Sequence, residues 1–330
     1  MIVSILIPCF NEETTILRLL DALLEQTFPL DQLEVIIADG MSTDQTRKKI
    51  KSFVDEHPEM RIMVIDNLPK TIPSAINSAA RASSGTYLLR MDAHAFPASD
   101  YVEKCIHDLQ NGMGDNVGGV CVMIPGDDSL IGRSIAEAVG HPLGVGDALY
   151  RFSRDSAYVD TVAFGAFRRD LFFEMGGFNE ALLSNEDYEF NTRLRERGYK
   201  VFLDASIKVE YAARPTLKSL AKQYFRYGFW KYRMLIKNLG SIRIRQALPP
   251  LFVILIMGLF FFSMFLPAAR LALIVVLGIY FSVLIFGSTL HSIKKNDVAI
   301  IVGMPIAIAF MHFSWGCGFL VSMLRSFLVK

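Results

Sequence analysis

The first 125 residues alternate between continuous apolar runs and amphipathic stretches. The apolar runs predict strands over Val3–Ile7, Leu33–Ala38, Ile62–Ile65, Tyr87–Met91 and Val117–Met123. Apolar positions at helical spacing predict helices between them, over Glu13–Gln26, Thr43–Phe53, Ser74–Ala82 and Tyr101–Asn111. Strands that are apolar throughout and separated by helices are typical of a parallel sheet covered on both faces. The pattern therefore predicts an α/β fold, in which a ligand binds outside the carboxyl ends of the strands.

Polar residues follow the predicted strands at that edge of the sheet. Asp39 comes directly after the second strand, and Asp92 comes directly after the fourth. Because each carboxylate ends a buried strand at the ligand-bearing edge, both are candidate ligand-binding residues. Asn11, Thr43 and Asp44 lie in the same loops, but helix capping and a favourable helix N-terminus explain them better.

The last third of the chain is apolar over lengths that a bilayer requires. Charged residues are absent from Leu248–Pro267 (20 residues), Leu271–His291 (21 residues) and Val298–Leu324 (27 residues). A helix of about 20 apolar residues crosses a hydrocarbon core of roughly 30 Å. We therefore expect transmembrane helices at about 248–267, 271–291 and 300–324. The second segment is less apolar at its end, so a re-entrant or interfacial hairpin is its alternative.

Charge divides the chain in the same way. Residues 1–210 carry 20 Lys and Arg against 32 Asp and Glu, whereas residues 211–330 carry 14 against one. Nine basic residues and no acidic residue lie in 214–245, interleaved with aromatic residues. This composition is typical of helices on an anionic lipid surface, and the neighbouring spans argue against nucleic acid as the partner. We therefore predict a soluble domain at 1–212, basic amphipathic interfacial helices at 213–246 and a transmembrane region at 247–330.

The basic residues also predict an orientation in the membrane. Positive charge before the first span favours a cytoplasmic location for the large N-terminal domain, and Lys294 and Lys295 fall on the same side after the second span. Arg325 and Lys330 fall on the other side, against the trend. Met1–Pro8 is too short and lacks the basic start of a cleavable signal. The expected location is the inner (plasma) membrane, crossed several times.

Several other classes of protein are disfavoured by the motifs. The four cysteines form no Cys-x-x-Cys pair and no cluster with histidine, so neither a structural zinc site nor a disulfide framework is indicated. No Gly-x-Gly-x-x-Gly follows the first strand, and no P-loop motif occurs. Dinucleotide-dependent oxidoreductases and P-loop ATPases are therefore poor fits.

Six short motifs follow one another along residues 1–230. They are Ser4–Glu12, Val35–Thr46, Asn67–Asn77, the triplet Asp92-Ala93-His94, Gly176–Glu180 followed by Glu186-Asp187, and Gln223–Tyr227. This ordered set resembles the family 2 inverting glycosyltransferases, which have the GT-A fold, the Rossmann-like fold of nucleotide-diphospho-sugar transferases. The triplet stands where that family has its DxD motif, and Gln223–Tyr227 resembles its QxxRW element. His141–Asp147 and the membrane tail resemble the ExoA-like succinoglycan (exopolysaccharide) glucosyltransferases.

The resemblance implies a UDP-sugar donor and a role for each matching residue on the donor side. Pro8, Phe10 and Glu12 would shape the uridine pocket, and Asp39 would accept a hydrogen bond from the uracil. Lys70 would contact the nucleotide or its phosphates. Asp92 would bind the ribose or a divalent metal ion, Mn²⁺ or Mg²⁺.

On the acceptor side, the resemblance implies that Asp187 is the catalytic base and that Glu186 assists the acceptor. Their alternative role is to complement the dipole at a helix start. Arg226 would approach the diphosphate or the acceptor with support from Gln223, and its alternative role is a lipid headgroup contact.

Two positions depart from the family pattern. Gly40 stands where a second aspartate is common, which leaves the details of base recognition open. His94 takes the third DxD position, where a carboxylate usually reaches the metal ion. A neutral imidazole can bind Mn²⁺ or Mg²⁺, although Mg²⁺ prefers oxygen ligands. We predict that His94 binds the metal ion. The alternative is metal contact through Asp92 alone, with His94 donating to the diphosphate.

The favoured function is transfer of a hexose from a UDP-sugar to a polyprenyl-diphosphate-linked saccharide, in exopolysaccharide or cell-surface glycan synthesis. Membrane lipids would be a further partner, and self-association or membership of a polysaccharide-assembly complex stays open. The alternatives are a polyprenyl-phosphate sugar synthase, a processive polysaccharide synthase, and a catalytically impaired scaffold that binds donor.

Overall fold

The computed structural model describes residues 3–237 and 242–328. The chain divides into two units, of which the first comprises Met1–Val122 and Leu149–Tyr211. The second comprises Met123–Ala148 and Ala212–Lys330. Residues 238–241 of the predicted interfacial segment and the terminal Lys330 lie outside the described residues. The domain limits given above stay a prediction, and nothing in the sequence indicated that Met123–Ala148 groups with the C-terminal helices.

The strands and helices follow the predicted order through the first half of the chain. The strands are β1 (Val3–Cys9), β2 (Leu33–Asp39), β3 (Arg61–Asp66), β4 (Tyr87–Arg90), β5 (Ala95–Pro97), β6 (Asn116–Ile124), β7 (Ala157–Tyr158), β8 (Ala166–Arg168) and β9 (Val201–Ala212). The first helices are α1 (Ile16–Leu24), α2 (Thr46–Glu56), α3 (Ile72–Ala82), α4 (Tyr101–Gln110), α5 (Leu130–Val139) and α6 (Pro142–Val145). The later helices are α7 (Arg169–Glu174), α8 (Glu186–Glu196), α9 (Leu217–Leu235), α10 (Ile244–Ser263), α11 (Pro267–Lys295) and α12 (Ala299–Leu328).

One sheet runs through the first unit in the order β3-β2-β1-β4-β8-β6-β9-β5, with β7 paired to β9. The four strands β3, β2, β1 and β4 are parallel neighbours, which confirms the predicted α/β fold. The expectation of an all-parallel sheet is wrong beyond β4, because β8 inserts antiparallel between β4 and β6. A strand of three residues is too short to produce a periodic apolar signal in the sequence.

An aromatic cluster supports the start of α8. Phe167, Phe172, Phe178 and Phe190 are all buried, and their ring centroids lie 5.2–5.7 Å apart. Asn77 fixes the loop that carries Phe178, since its amide donates to the Phe178 carbonyl and its Oδ1 accepts from the Phe178 N–H, both at 2.8 Å. The cluster thus gives the helix start at residue 186 a rigid base.

The second unit contains helices that are long and apolar enough to cross a membrane. These are α10, α11 and α12, which agree with the predicted spans. In the most apolar stretch of α11 only 11% of residues are buried, against 50% in α12. The helix α12 is therefore the most buried of the three, and the apolar faces of α10 and α11 are largely exposed. Membrane association is consistent with these helices.

Helix α9 packs on α12 with its backbone close to that of α12. A Cβ atom on Gly228 would lie 2.0 Å from the carbonyl oxygen of Trp315, and one on Gly318 would lie 2.1 Å from that of Phe225. Only glycine permits this approach, which is the small-residue packing common between helices in membranes. The basic helix α9 thereby packs closely against α12, one of the three apolar helices.

We predict that Gly318→Ala destabilises the packing of α9 on α12. The added methyl group overlaps the Phe225 carbonyl, and such overpacking lowers the free energy of unfolding by about 1–3 kcal/mol. Gly278→Ala in α11 is the matched control, because a Cβ there meets no atom within 4 Å. The measurement is the Tm of each detergent-solubilised variant. Equal Tm values for the two variants would contradict close α9–α12 packing.

Candidate active site

The parallel register brings the ends of β2, β1 and β4 to one edge of the sheet. Cys9 pairs with Asp39, and Leu6 pairs with Arg90. Continued by two residues, that register sets Asp92 level with Pro8, on the other side of β1 from Asp39. Because neighbouring strands lie about 4.8 Å apart, the backbones of the two aspartates are roughly 10 Å apart.

Asp39 is completely buried, and its carboxylate is held by protein donors. It accepts from the backbone N–H of Ser42 at 3.0 Å, from the Ser42 hydroxyl at 2.5 Å and from Nε of Arg47 at 2.5 Å. Arg47 also donates to Asp66, at the end of β3. Three protein donors, two from Ser42 and one from Arg47, therefore fix this carboxylate.

The other predicted nucleotide residues lie beside this edge. The ring of Phe10 is half exposed, Pro8 is partly buried, and the Lys70 ammonium lies 6.0 Å from the Phe10 ring centroid. A Cβ atom at Gly40 would lie 3.3 Å from Phe10. The glycine that departs from the family pattern therefore leaves space for this ring.

His94 links three separate segments of the first unit. Its Nδ1 lies 2.9 Å from Oε1 of Glu12, in the loop after β1. Its Nε2 lies 2.9 Å from the hydroxyl of Tyr211, at the end of β9. Thr15 donates to the second oxygen of Glu12 at 2.6 Å. Both ring nitrogens thus have protein partners, and a metal ion on His94 would have to displace one of them.

Arg90 connects the end of β4 to α8. Its guanidinium donates to Oδ1 of Asp92 from Nε and from Nη2, both at 3.2 Å, and Nη2 lies 3.0 Å from Oε1 of Glu186. Burial alone would lower the pKa of Arg90, but Asp92, Glu186 and Asp187 raise it above its usual value. The predicted donor and acceptor carboxylates Asp92 and Glu186 therefore meet on one buried cation.

Glu186 and Asp187 begin α8, after a residue in the left-handed conformation. Asn185 has a φ of 63°, which asparagine tolerates well. Burial raises the pKa of Glu186, and Arg90 opposes that rise. Asp187 accepts from the N–H of Tyr188 at 2.7 Å, and the Tyr188 hydroxyl donates to Asp160 at 2.9 Å. The helix dipole also favours both acids here, so the dipole role stands beside the catalytic one.

Gln223 and Arg226 belong to the second unit, on α9. The Gln223 amide donates to the Tyr227 hydroxyl at 3.1 Å, and Arg226 is exposed. Their contribution to catalysis stays a prediction.

The side chains at the sheet edge suit a metal ion that takes only a few ligands from the protein and the rest from substrate phosphates and water. Across residues 3–237 and 242–328, no three His, Cys, Asp or Glu side chains are grouped to hold a metal. Mg²⁺ is commonly bound by one or two carboxylates together with substrate phosphates and water. Asp92, with Glu12 and His94 nearby, fits that arrangement and does not form a closed metal cage.

Sequence reasoning missed Arg90, Tyr211 and Arg47. Arg90 had a usable signal, since it is a charged residue inside an otherwise apolar predicted strand and lies two positions before Asp92. Tyr211 follows the triplet by more than 100 residues, and Arg47 is one of three adjacent basic residues in a helix. No local pattern distinguishes either of these two.

Comparison with known proteins gives a family match and several relatives. The profile of glycosyl transferase family 2 matches residues 4–176. The succinoglycan biosynthesis protein ExoA of Rhizobium meliloti (strain 1021) is 30% identical over 319 residues, which are 96% of this chain and 93% of the relative. A dolichyl N-acetyl-alpha-D-glucosaminyl phosphate 3-beta-D-2,3-diacetamido-2,3-dideoxy-beta-D-glucuronosyltransferase of Methanococcus voltae is 24% identical over 98% of this chain and 97% of its own length.

A solved structure shows the same fold over nearly the whole chain. The mannosyltransferase PcManGT from Pyrobaculum calidifontis, in complex with GDP-Man and Mn²⁺, matches with a TM-score of 0.66 and 18% identity. The match covers 98% of this chain and 87% of that chain.

We predict that Arg47→Met costs more stability than a matched change at the protein surface. Loss of Arg47 leaves the buried Asp39 carboxylate short of a charged donor, which lowers the free energy of unfolding by about 1–3 kcal/mol. Arg168→Met is the control, because its partner Asp170 is 67% exposed and such pairs contribute about 0–1 kcal/mol. The Tm of each variant measures the difference. Equal losses would mean that Arg47 does not hold Asp39.

Proposed function

This chain belongs to glycosyl transferase family 2, and from that premise we propose the reaction that it catalyses. It transfers a hexose from a UDP-sugar to a polyprenyl-diphosphate-linked glycan in the membrane, with inversion at the anomeric carbon. The observation that carries the proposal is the buried Arg90, which contacts both Asp92 and Glu186. Asp187 adjoins this ion pair.

On the donor side, the nucleotide lies along the ends of β1, β2 and β4. Phe10 provides an exposed ring beside Asp39, and Lys70 provides a cation for the phosphates. Asp92 would hold a divalent cation, Mn²⁺ or Mg²⁺, with His94 as a second ligand. When bound, that cation would neutralise charge on the leaving diphosphate. The fold shared with a mannosyltransferase whose structure contains Mn²⁺ and a nucleotide sugar supports this arrangement.

On the acceptor side, Asp187 is the base. It takes the proton of the acceptor hydroxyl as that oxygen bonds to the anomeric carbon, while the bond from this carbon to the diphosphate breaks and UDP leaves. A base for such a direct displacement must lie within hydrogen-bond reach of the hydroxyl, on the face opposite the leaving group. Glu186, held by Arg90, positions the acceptor beside Asp187.

The membrane helices suit a lipid-linked acceptor. Three helices of the second unit are long and apolar enough to span a bilayer, and α9 adds exposed basic residues, among them Lys222, Arg226 and Arg233. The Methanococcus voltae relative is named for a dolichyl-phosphate-linked sugar, which supports an acceptor of that class. Gln223 and Arg226 would contact the diphosphate of the donor or of the acceptor. The catalytic domain faces the cytoplasm of a multi-pass inner-membrane protein.

We predict that wild-type protein with Mn²⁺ transfers label from a UDP-hexose to a polyprenyl-diphosphate-linked saccharide in lipid extract. Asp187→Asn should lower turnover on the order of 10²-fold or more, because the base is lost, while UDP affinity stays within about twofold. Asp170→Asn, at an exposed aspartate, is the control and should keep wild-type turnover.

Other outcomes of this assay separate the alternatives. Label on polyprenyl phosphate itself would indicate a polyprenyl-phosphate sugar synthase, and UDP binding without turnover would indicate a scaffold. Use of GDP-mannose in place of every UDP-sugar would overturn the proposed donor. A fully active Asp187→Asn variant would remove Asp187 from the role of base.

We predict that His94→Asp changes the metal preference of turnover. A carboxylate is a harder ligand than imidazole, so activity with Mg²⁺ relative to Mn²⁺ should rise by about tenfold. His107→Asp, on the exposed face of α4, is the control and should leave the ratio unchanged. Turnover and metal dependence that both match wild type would show that His94 is not a ligand.

A further inference from the structure

Arg90 is a charged residue within a strand that is otherwise buried and apolar. Only 7% of its side chain is exposed. One guanidinium contacts two carboxylates of different segments, Asp92 after β4 and Glu186 at the start of α8. The Phe178 ring lies 5.7 Å from its central carbon, on the side of the aromatic cluster. The side chain is thus enclosed by groups of both halves of the proposed site.

The remaining donor of Arg90 is unpaired, and Arg90 lines a small cavity together with Asp187. Nη1 is buried, and it has no hydrogen-bond partner among residues 3–237 and 242–328. Arg90, Asn116, Asn191 and Asp187 line one cavity of about 10 Å³, which has room for about one water molecule. Oδ1 of Asn116 is also buried and unpaired among the described residues, while its amide donates to Asn191 at 2.5 Å. A Cβ on Gly165 would lie 2.1 Å from this oxygen, so the cavity depends on a glycine.

We propose that Arg90 is a positioning residue that couples the donor side of the site to the acceptor side. It holds Asp92 and Glu186 on one guanidinium, so a change at either carboxylate shifts the other. This inference rests on the proposed function, since it assigns Asp92 to the donor and Glu186 to the acceptor.

The choice of side chain supports coupling over simple charge balance. A guanidinium has five N–H groups in a fixed planar fork, so it can bind two carboxylates in different directions at once. An ammonium is a point charge on a flexible stem and would not fix their relative positions. Burying a cation costs desolvation free energy, which is offset only when its carboxylate partners are well placed. Removing one partner of a buried pair leaves an uncompensated charge and lowers stability.

The test compares UDP affinity in a double-mutant cycle on the full chain in detergent. The variants are Glu186→Gln, Arg90→Gln and the double variant, and UDP with Mn²⁺ is titrated calorimetrically. Glu186→Gln should change UDP affinity by roughly threefold or more when Arg90 is present, although Glu186 lies on the acceptor side. In the Arg90→Gln background the same change should have almost no effect, because the link is already lost. Coupling of directly contacting residues is commonly of this size.

Arg90→Lys provides a second test in case Arg90→Gln fails to fold. It keeps the positive charge, so we expect folded protein with a kcat about tenfold or more below wild type and a raised KM for the UDP-sugar. Arg193→Lys is the matched control, at an arginine of α8, the helix that begins with Glu186. Arg193 pairs with Glu189 at 2.8 Å and donates to the Gly177 carbonyl at 2.7 Å. Its loss should lower the Tm while the effect of Glu186→Gln on UDP affinity persists.

Three results would overturn the proposal. The first is an equal effect of Glu186→Gln on UDP affinity with and without Arg90, including no effect in either. The second is wild-type kcat and KM in Arg90→Lys. The third is loss of the effect of Glu186→Gln on UDP affinity in the Arg193→Lys background as well. The loss in the Arg90 variants would then be a general result of weakening α8. If wild-type protein neither binds UDP nor transfers sugar, the proposed function itself fails, and this inference fails with it.

Discussion

A single buried cation joins the segments of the first unit that contain the candidate site residues Asp92 and Glu186. Arg90 lies in the sheet, and its partners come from the loop after β4 and from the first turn of α8, nearly 100 residues later in the chain. Burying one guanidinium beside Asp92, Glu186 and Asp187 is favourable only while the carboxylates stay close. The aromatic cluster and Asn77 keep the start of α8 in place, so packing and electrostatics support the same geometry.

The second unit follows a different constraint, which is close approach of helix backbones. Gly228 and Gly318 let α9 lie directly on α12, so the basic helix packs against one of the three long apolar helices. In lipid, close van der Waals contact replaces the hydrophobic effect as the force between helices. The exposed apolar faces of α10 and α11 and the basic residues of α9 are consistent with membrane association.

The sequence predicted the elements better than it predicted their contacts. Apolar runs located β1 to β4 and the spans, because strand and span lengths follow from local composition. Asp39 and Asp92 were predicted from their positions at the ends of buried strands, and Glu186 and Asp187 through the family resemblance. Their partners were not, because the contact of Arg90 with Glu186 depends on the topology of the sheet. The three-residue β8 is too short to give a local signal, and the space that Gly40 leaves for Phe10 depends on the packing of the loops after β1 and β2.

The most direct test of the account is a structure of the protein with a UDP-sugar and Mn²⁺ bound. The account predicts that the diphosphate lies at Asp92 and that a carboxylate oxygen of Asp187 lies within about 6 Å of the anomeric carbon. That distance leaves room for one acceptor oxygen between the base and the carbon. A sugar whose anomeric carbon lies far from Asp187, or whose diphosphate lies between the carbon and Asp187, would contradict the central claim.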